Sequence, residues 1–267
     1  MVKVIALHSV IPLRAEAREQ AEQVTQMLFG QTAAVLEQLP SWTRIRLDDD
    51  GQVGWADAKM LTPLSDAEQA QVEDALSRAT ARVMMPMAYA VSANNRQTLP
   101  LTAGTLLPDY HDGRFALLGV PFLIDPAMVA AQPIPLNEDT LMRVTRFFLN
   151  IPYLWGGKNA MGMDCSGFTQ VVLSLFGHRL PRNASEQAAC GQPVSDLREA
   201  QAGDIALFDH APDSTRISHV GILLDNTRII HCSGRVKVET IDPQGILSVE
   251  RNNTYTHHLA AIRRLLH

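Results

Sequence analysis

One cysteine and two histidines stand in contexts that suit nucleophilic catalysis. Asp164-Cys165-Ser166-Gly167 opens an apolar run, Phe168 to Phe176, that is spaced like a buried helix. Asp164 stands where an N-cap would stand, so Cys165 falls in the first helical turn. The positive end of the helix dipole lowers a thiol pKa there. The backbone N–H groups of that turn can also hold an oxyanion. A cysteine nucleophile needs a histidine base, and the base needs a third group to hold its tautomer. His219 lies in a strand-like run at 217–224, and His231 follows in Arg228-Ile229-Ile230-His231-Cys232-Ser233-Gly234, with an Asp225-Asn226 turn between them. Two adjacent antiparallel strands would bring both rings to the start of the Cys165 helix, a rigid arrangement. Taken singly, a buried cysteine is an inert small hydrophobe and a histidine an ordinary core or surface residue. The set of three is what points to chemistry.

The elements that must position these residues follow from local pattern. Before the cysteine, Tyr153-Leu154-Trp155 is bulky and apolar, and Gly156-Gly157 lets the backbone turn or pass close to a neighbour. Asn137-Glu138-Asp139 reads as a helix start, with an amphipathic helix over 141–149 that stops before Pro152. Residues 131–136 carry two prolines and read as a linker. Nearer the N-terminus, residues 42–47 alternate with period two. Asp48-Asp49-Asp50-Gly51 follows as a solvated hairpin turn, and Gln52-Val53-Gly54-Trp55 returns. Residues 14–28 are polar and suit a helix or a long loop, and 66–77 a linker or short helix. Strand-like segments and turn signals recur over 80–125. Three domains are expected: 1–66 and 67–132, both small and all-β, and 133–267.

Composition narrows the function classes. The chain has 267 residues, 46% hydrophobic and 19% charged, which is ordinary globular composition. The net charge of −5 argues against nucleic-acid binding, which wants a clustered basic surface. No apolar stretch reaches the length a transmembrane helix needs. The first twenty residues lack a long apolar core and a small-x-small cleavage site, so a cytoplasmic protein is expected. Three cysteines give no complete disulfide framework and no CxxC zinc pair.

The ordered motifs DCSGF, SHVGI and IIHCSG resemble those of the NlpC/P60 cysteine peptidases, over roughly the last half of the chain. Residues 25–31, Val35-Leu36-Glu37, Trp42-Thr43-Arg44-Ile45 and Gly54-Trp55-Ala56 resemble a bacterial SH3 domain. With Leu154-Trp155-Gly156-Gly157, the whole chain is similar to γ-D-glutamyl-L-diamino acid endopeptidases, which cut murein peptides. The resemblance implies an α+β papain-like catalytic domain preceded by two small all-β SH3b-like barrels. It implies Cys165 as nucleophile, His219 as general base and His231 as the residue that orients the base. It implies Tyr153 beside the oxyanion, and Trp155, Asp164, Ser166, Asn183 and Ser185 against the substrate.

The expected reaction is hydrolysis of the γ-D-glutamyl–diamino acid bond of murein tri- or tetrapeptides bearing a free N-terminal L-Ala, in cell-wall peptide recycling. It needs no metal or organic cofactor, no nucleic acid and no membrane. Three alternatives remain open: a secreted hydrolase of intact peptidoglycan, a papain-like acyltransferase, and a non-enzymatic binding module. Two departures bear on specificity. Asn183 stands where relatives often carry Asp, and Gln31 where Glu is expected.

Overall fold

The alternation at residues 42–47 produces a strand whose Thr43, Ile45 and Leu47 face inward while Arg44 and Arg46 stay outside. It is the fifth of seven strands that open the chain: β1 (Lys3–Ala6), β2 (Val10–Arg14), β3 (Gln23–Leu28), β4 (Thr32–Gln38), β5 (Trp42–Leu47), β6 (Val53–Asp57) and β7 (Leu61–Pro63). They form one sheet in the order β3-β2-β6-β5-β4-β1-β7, around a core that includes Ile11, Leu13, Met27, Ile45 and Leu47. Gly54 is needed where β6 meets β2, because a Cβ there would lie 2.9 Å from Leu13 Cβ. The structure is a computed structural model, and it describes residues 2–209 and 216–265.

The polar stretch 14–28 is neither a helix nor only a loop. It bends after β2 and returns as β3, which pairs antiparallel with β2 from Val10↔Leu28 to Arg14↔Gln23. The stretch 66–77 falls in a helix, α1 (Asp66–Arg78), begun by a capping box in which Ser65 and Glu68 satisfy each other's backbone N–H. The strands that follow are β8 (Arg82–Val83), β9 (Met87–Ser92), β10 (Thr98–Thr102), β11 (Arg114–Leu117), β12 (Val120–Ile124) and β13 (Val129–Ala130). Strands β10-β9-β12-β11 form a four-stranded sheet, and β13 pairs with β8. Phe115 and Phe122 stack at 5.0 Å between ring centroids, and Phe29 meets both edge-on. Ile5 of β1 and Phe29, just after β3, share one core with Val83 of β8, Leu101 of β10 and Phe115 of β11.

The described residues cluster into two units, whose border falls between Pro133 and Ile134 inside the proline-bearing stretch. Residues Trp155–Ala160, however, belong with the first unit. There Gln23 Nε2 donates to Trp155 O at 3.0 Å, Trp155 Nε1 donates to Glu22 Oε1 at 2.6 Å, and Lys158 N donates to Gln26 Oε1 at 2.7 Å. The short β14 (Lys158–Asn159) lies in this excursion. Gly156 has φ +72°, and a Cβ on it would meet Gln23 O at 2.4 Å. The acidic run is not merely a solvated turn. Asp48 accepts from Lys3 Nζ and Thr32 Oγ1, and Asp49 accepts from Gln31 Nε2. Asp50 has a side chain only 1% exposed and pairs with the equally buried Lys158 at 3.5 Å.

The second unit holds α2 (Glu138–Thr145), β15 (Gly162–Met163), α3 (Cys165–Ser174) and α4 (Ala184–Gln187). Its seven-stranded sheet comprises β16 (Gln192–Pro193), β17 (Ile205–Asp209), β18 (His219–Leu223), β19 (Arg228–Ser233), β20 (Arg235–Asp242), β21 (Gly245–Ser248) and β22 (Thr254–Arg264). The order is β16-β22-β17-β18-β19-β20-β21, and β21 pairs again with β22, so six strands close into a ring. α2 is shorter than the pattern suggested, because its last turn tightens to a 3₁₀ segment over Arg146–Phe148. That segment brings Phe148 edge-on to Phe168 of α3, 6.1 Å between centroids. Every residue of α3 from Cys165 to Leu173 is buried, and the helix packs against β18 and β19. Among the described residues no helix is long and apolar enough to cross a membrane.

Candidate active site

Asp164 starts α3 as its N-cap, accepting from Gly167 N at 2.7 Å. This places Cys165 at the first helical position, 6% exposed. The backbone N–H groups of Val220 and Ser166 favour the charged form of the thiol. Val220 is the neighbour of His219, so the start of β18 lies against the sulfur. Burial, and after it the charge of Asp164, push the Cys165 thiol up to about 11. The helix-end effect expected from sequence acts in the opposite direction and is outweighed.

His219 and His231 reach each other across two strands. β18 and β19 are antiparallel, with Gly221 opposite His231. Gly221 has no side chain there for a reason, because a Cβ would lie 2.8 Å from His231 Cβ and 2.7 Å from Ile229 Cδ1. His219 Nε2 and His231 Nδ1 are 2.8 Å apart, and both rings are buried. On its far side His231 Nε2 meets Glu239 Oε2 at 2.9 Å. Burial lowers the His231 pKa more than Glu239 raises it. Burial disfavours the charge on Glu239, yet the contacts with His231 and Lys237 prevail and bring its carboxyl down to about 2.

Tyr153 is held by the edge of β20. Its N–H donates to Gly234 O at 2.9 Å, and the next residue, Leu154, donates to Met163 O at 3.0 Å. Burial, then the charges of Cys165 and Asp164, raise the Tyr153 pKa, so the phenol stays protonated and can donate a hydrogen bond. Arg182, 1% exposed, forms a two-pronged pair with Asp164 at 2.9 and 2.5 Å and donates to Ser166 Oγ at 2.9 Å. Asp164 and Ser166 are thus joined through a buried guanidinium. Asn183 precedes α4, where its backbone N–H and side-chain amide both donate to Glu186 Oε2. Ser185 is exposed on that short helix, which Gln187 fastens to α3 through Thr169 Oγ1 and Ser166 O.

The structure therefore brings together Cys165, His219, His231, Tyr153, Asp164 and Ser166. It does not bring Trp155 into this unit. That ring is 59% exposed and belongs to the first unit, where Glu22 accepts from its indole N–H. Gln31 uses its side chain to close the turn after β3, accepting from Leu28 N at 2.7 Å.

Three residues escaped the sequence pattern. Arg182 is separated from Asp164 by a whole helix. His257 of β22 stacks on His219 at 4.1 Å between centroids. Glu239 carried a signal in phase, since it shares a strand face with buried Ile241.

His219, His231 and His257 place one nitrogen each within 4.8 Å of one another. A single metal ion must lie in the plane of each ring that binds it. The His219 and His257 rings are stacked only 28° from parallel, and His219 and His231 are hydrogen-bonded to each other. The arrangement fits proton transfer better than metal ligation.

Residues 150–264 match the NlpC/P60 family, and residues 13–61 match the bacterial dipeptidyl-peptidase SH3 domain. A Bacillus subtilis (strain 168) protein named gamma-D-glutamyl-L-lysine dipeptidyl-peptidase is 26% identical, over 78% of this chain and 71% of that one. The solved structure of an NlpC/P60 family protein from Bacillus cereus ATCC 10987 superposes with a TM-score of 0.81 at 22% identity, covering 99% of this chain and 100% of that one. An NlpC/P60 endopeptidase from Photobacterium damselae subsp. piscicida gives a TM-score of 0.71 at 16% identity, over 97% of this chain and 70% of that one. The papain-like α+β domain at the C-terminal end of this chain belongs to the NlpC/P60 family, and a bacterial SH3 domain precedes it.

Proposed function

We propose that this chain is a cysteine endopeptidase that hydrolyses the γ-D-glutamyl–diamino acid bond of murein peptides with a free N-terminal L-Ala. The observation that carries this reading is the Cys165 thiol set against the strand that begins with His219, whose ring is in turn held by His231. The name of the Bacillus subtilis relative supports the choice of bond. As Cys165 Sγ attacks the γ-carbonyl carbon, its proton passes to the His219 nitrogen that does not face His231. The oxyanion forms beside the first N–H groups of α3, with the Tyr153 hydroxyl as further donor. His219 then protonates the leaving amine, the C–N bond breaks, and a thioester remains. Water, deprotonated by the same ring, hydrolyses it and restores the thiol.

Asp164 and Ser166, already gathered around Arg182, are the proposed contacts of the free amine. Ser185 and Asn183 are proposed at the substrate's edge. The proposed place of action is the cytoplasm, in peptide recycling. Unpaired Cys165, Cys190 and Cys232 suit a reducing compartment. The test is mass spectrometry of L-Ala-γ-D-Glu-diaminopimelate incubated with the full chain. Release of L-Ala-γ-D-Glu by the wild type and not by Cys165→Ala is the expected result. Release by both would remove Cys165 from the mechanism, and release by neither would remove this bond from the proposal.

A further inference from the structure

We propose that Glu239 is a positioning residue: through His231 it fixes the tautomer of His219 so that the nitrogen facing away from His231 is the unprotonated one. This rests on the reading of Cys165 and His219 as nucleophile and base. One sheet face carries all the parts. β19 and β20 are antiparallel with His231 opposite Lys237, so Glu239 is the diagonal neighbour of His231 on the same face. The contacts run His219 Nε2 to His231 Nδ1 at 2.8 Å, then His231 Nε2 to Glu239 Oε2 at 2.9 Å.

The tautomers follow from what each atom can do. An ionised carboxylate only accepts hydrogen bonds, and Glu239 is ionised at neutral pH. His231 Nε2 must therefore carry a proton. Burial keeps the His231 ring neutral, so its Nδ1 is bare and accepts. His219 Nε2 must then be the donor of the 2.8 Å contact, and a neutral His219 has its lone pair on Nδ1. When the Cys165 proton arrives at Nδ1, the new imidazolium is stabilised through His231 by the Glu239 charge. A neutral glutamine would not impose this order. Its amide can donate to His231 Nε2, which turns the chain round and leaves the proton on His219 Nδ1.

Other charged groups line the region without taking this place. Lys237 Nζ sits 3.1 Å from Glu239 and 3.3 Å from Glu250. Arg235 pairs with Glu250. Ser248 from β21 lies buried beside Glu239, and His257 from β22 lies over His219. Among the described residues, Glu239 is the charged group that meets His231 Nε2.

The test uses the full-length protein and two readouts. The first is the pH dependence of Cys165 alkylation by iodoacetamide, followed on the Cys165 peptide by mass spectrometry, beside kcat and KM on the murein tripeptide. For Glu239→Gln, kcat should fall by about ten- to a hundredfold with KM changed by less than about twofold, and alkylation should move to higher pH. Glu239→Asp should recover part of both. A wild-type alkylation profile and kcat in Glu239→Gln would overturn the proposal.

The second readout is imidazole ¹⁵N NMR of the wild type, which does not depend on a variant folding. It should show His219 protonated at Nε2 and bare at Nδ1, and the opposite tautomer would overturn the proposal. His219→Ala separates the two claims. If it leaves alkylation unchanged, the base assignment fails, while the ¹⁵N pattern still decides the role of Glu239.

Discussion

Tyr153 shows what burial does for a single side chain. Its pKa is raised first by burial and then by the charges of Cys165 and Asp164, so its hydroxyl keeps its proton at any pH at which the protein works. Such a group donates a hydrogen bond to a developing oxyanion without itself becoming charged. Tyr153→Phe should lower kcat by about a hundredfold with little change in KM. Cys165 alkylation should stay at the wild-type rate, because that reaction forms no oxyanion for the phenol to hold. Steady-state kinetics beside an alkylation time course decide this, and an unchanged kcat would remove Tyr153 from the oxyanion site. Cys165 itself illustrates competing terms. The helix start and two N–H donors favour a thiolate, yet burial and the adjacent Asp164 win and hold the thiol at about 11. In the proposed mechanism the thiolate forms as the thiol proton passes to His219.

At the scale of elements, the pairing of β18 with β19 sets the distance between the two rings. That pairing tolerates no side chain at position 221. Gly221→Ala would force a methyl group within 3 Å of both Ile229 and His231. The strain should cost about 1–3 kcal/mol of stability and push His231 away from His219. A melting curve and kcat should fall together, and a fully active, equally stable Gly221→Ala would show that the ladder can adjust.

What was legible in the sequence was local. Asp164 as a cap, the α3 run behind Cys165, and the alternation of β5 each need only neighbours within a turn or two. What stayed hidden depends on partners far along the chain. Residues 23–28 look too polar for a strand beside a core, but Gln26 is buried because its carbonyl accepts from Lys158 N and Asn159 Nδ2. Arg182 and Glu239 are likewise charges made tolerable by buried partners that no spacing rule links to them. His257 lies on β22, far along the chain from His219, and meets it because β17 pairs with both of their strands.

At the scale of the molecule, the chain passes from its first unit to its second, returns for residues 155–160, and leaves again. The return is fastened by a buried ion pair, Lys158 with Asp50, and by the Gln23, Gln26 and Glu22 hydrogen bonds. An engineered protease site in the exposed stretch at 131–133 should therefore yield two pieces that still co-elute on size exclusion. Adding Asp50→Ala leaves Lys158 charged and unpaired in the interior, a change that typically costs about 3–5 kcal/mol. The nicked variant should then separate at a lower urea concentration than the nicked wild type. Immediate separation without Asp50→Ala would mean that the excursion contributes nothing to the joint.

The same excursion constrains how such a chain can be inherited. Modular proteins are usually pictured as beads that recombination exchanges at the linkers. Here an exchange at residues 131–136 would give the incoming front module a six-residue guest whose lysine finds no acid and whose glycine finds no carbonyl to approach. A viable recombinant would need Asp50, Gln23 and Gln26 to arrive together with Lys158 and Gly156. The front and back halves of this sequence should accordingly share one genealogy.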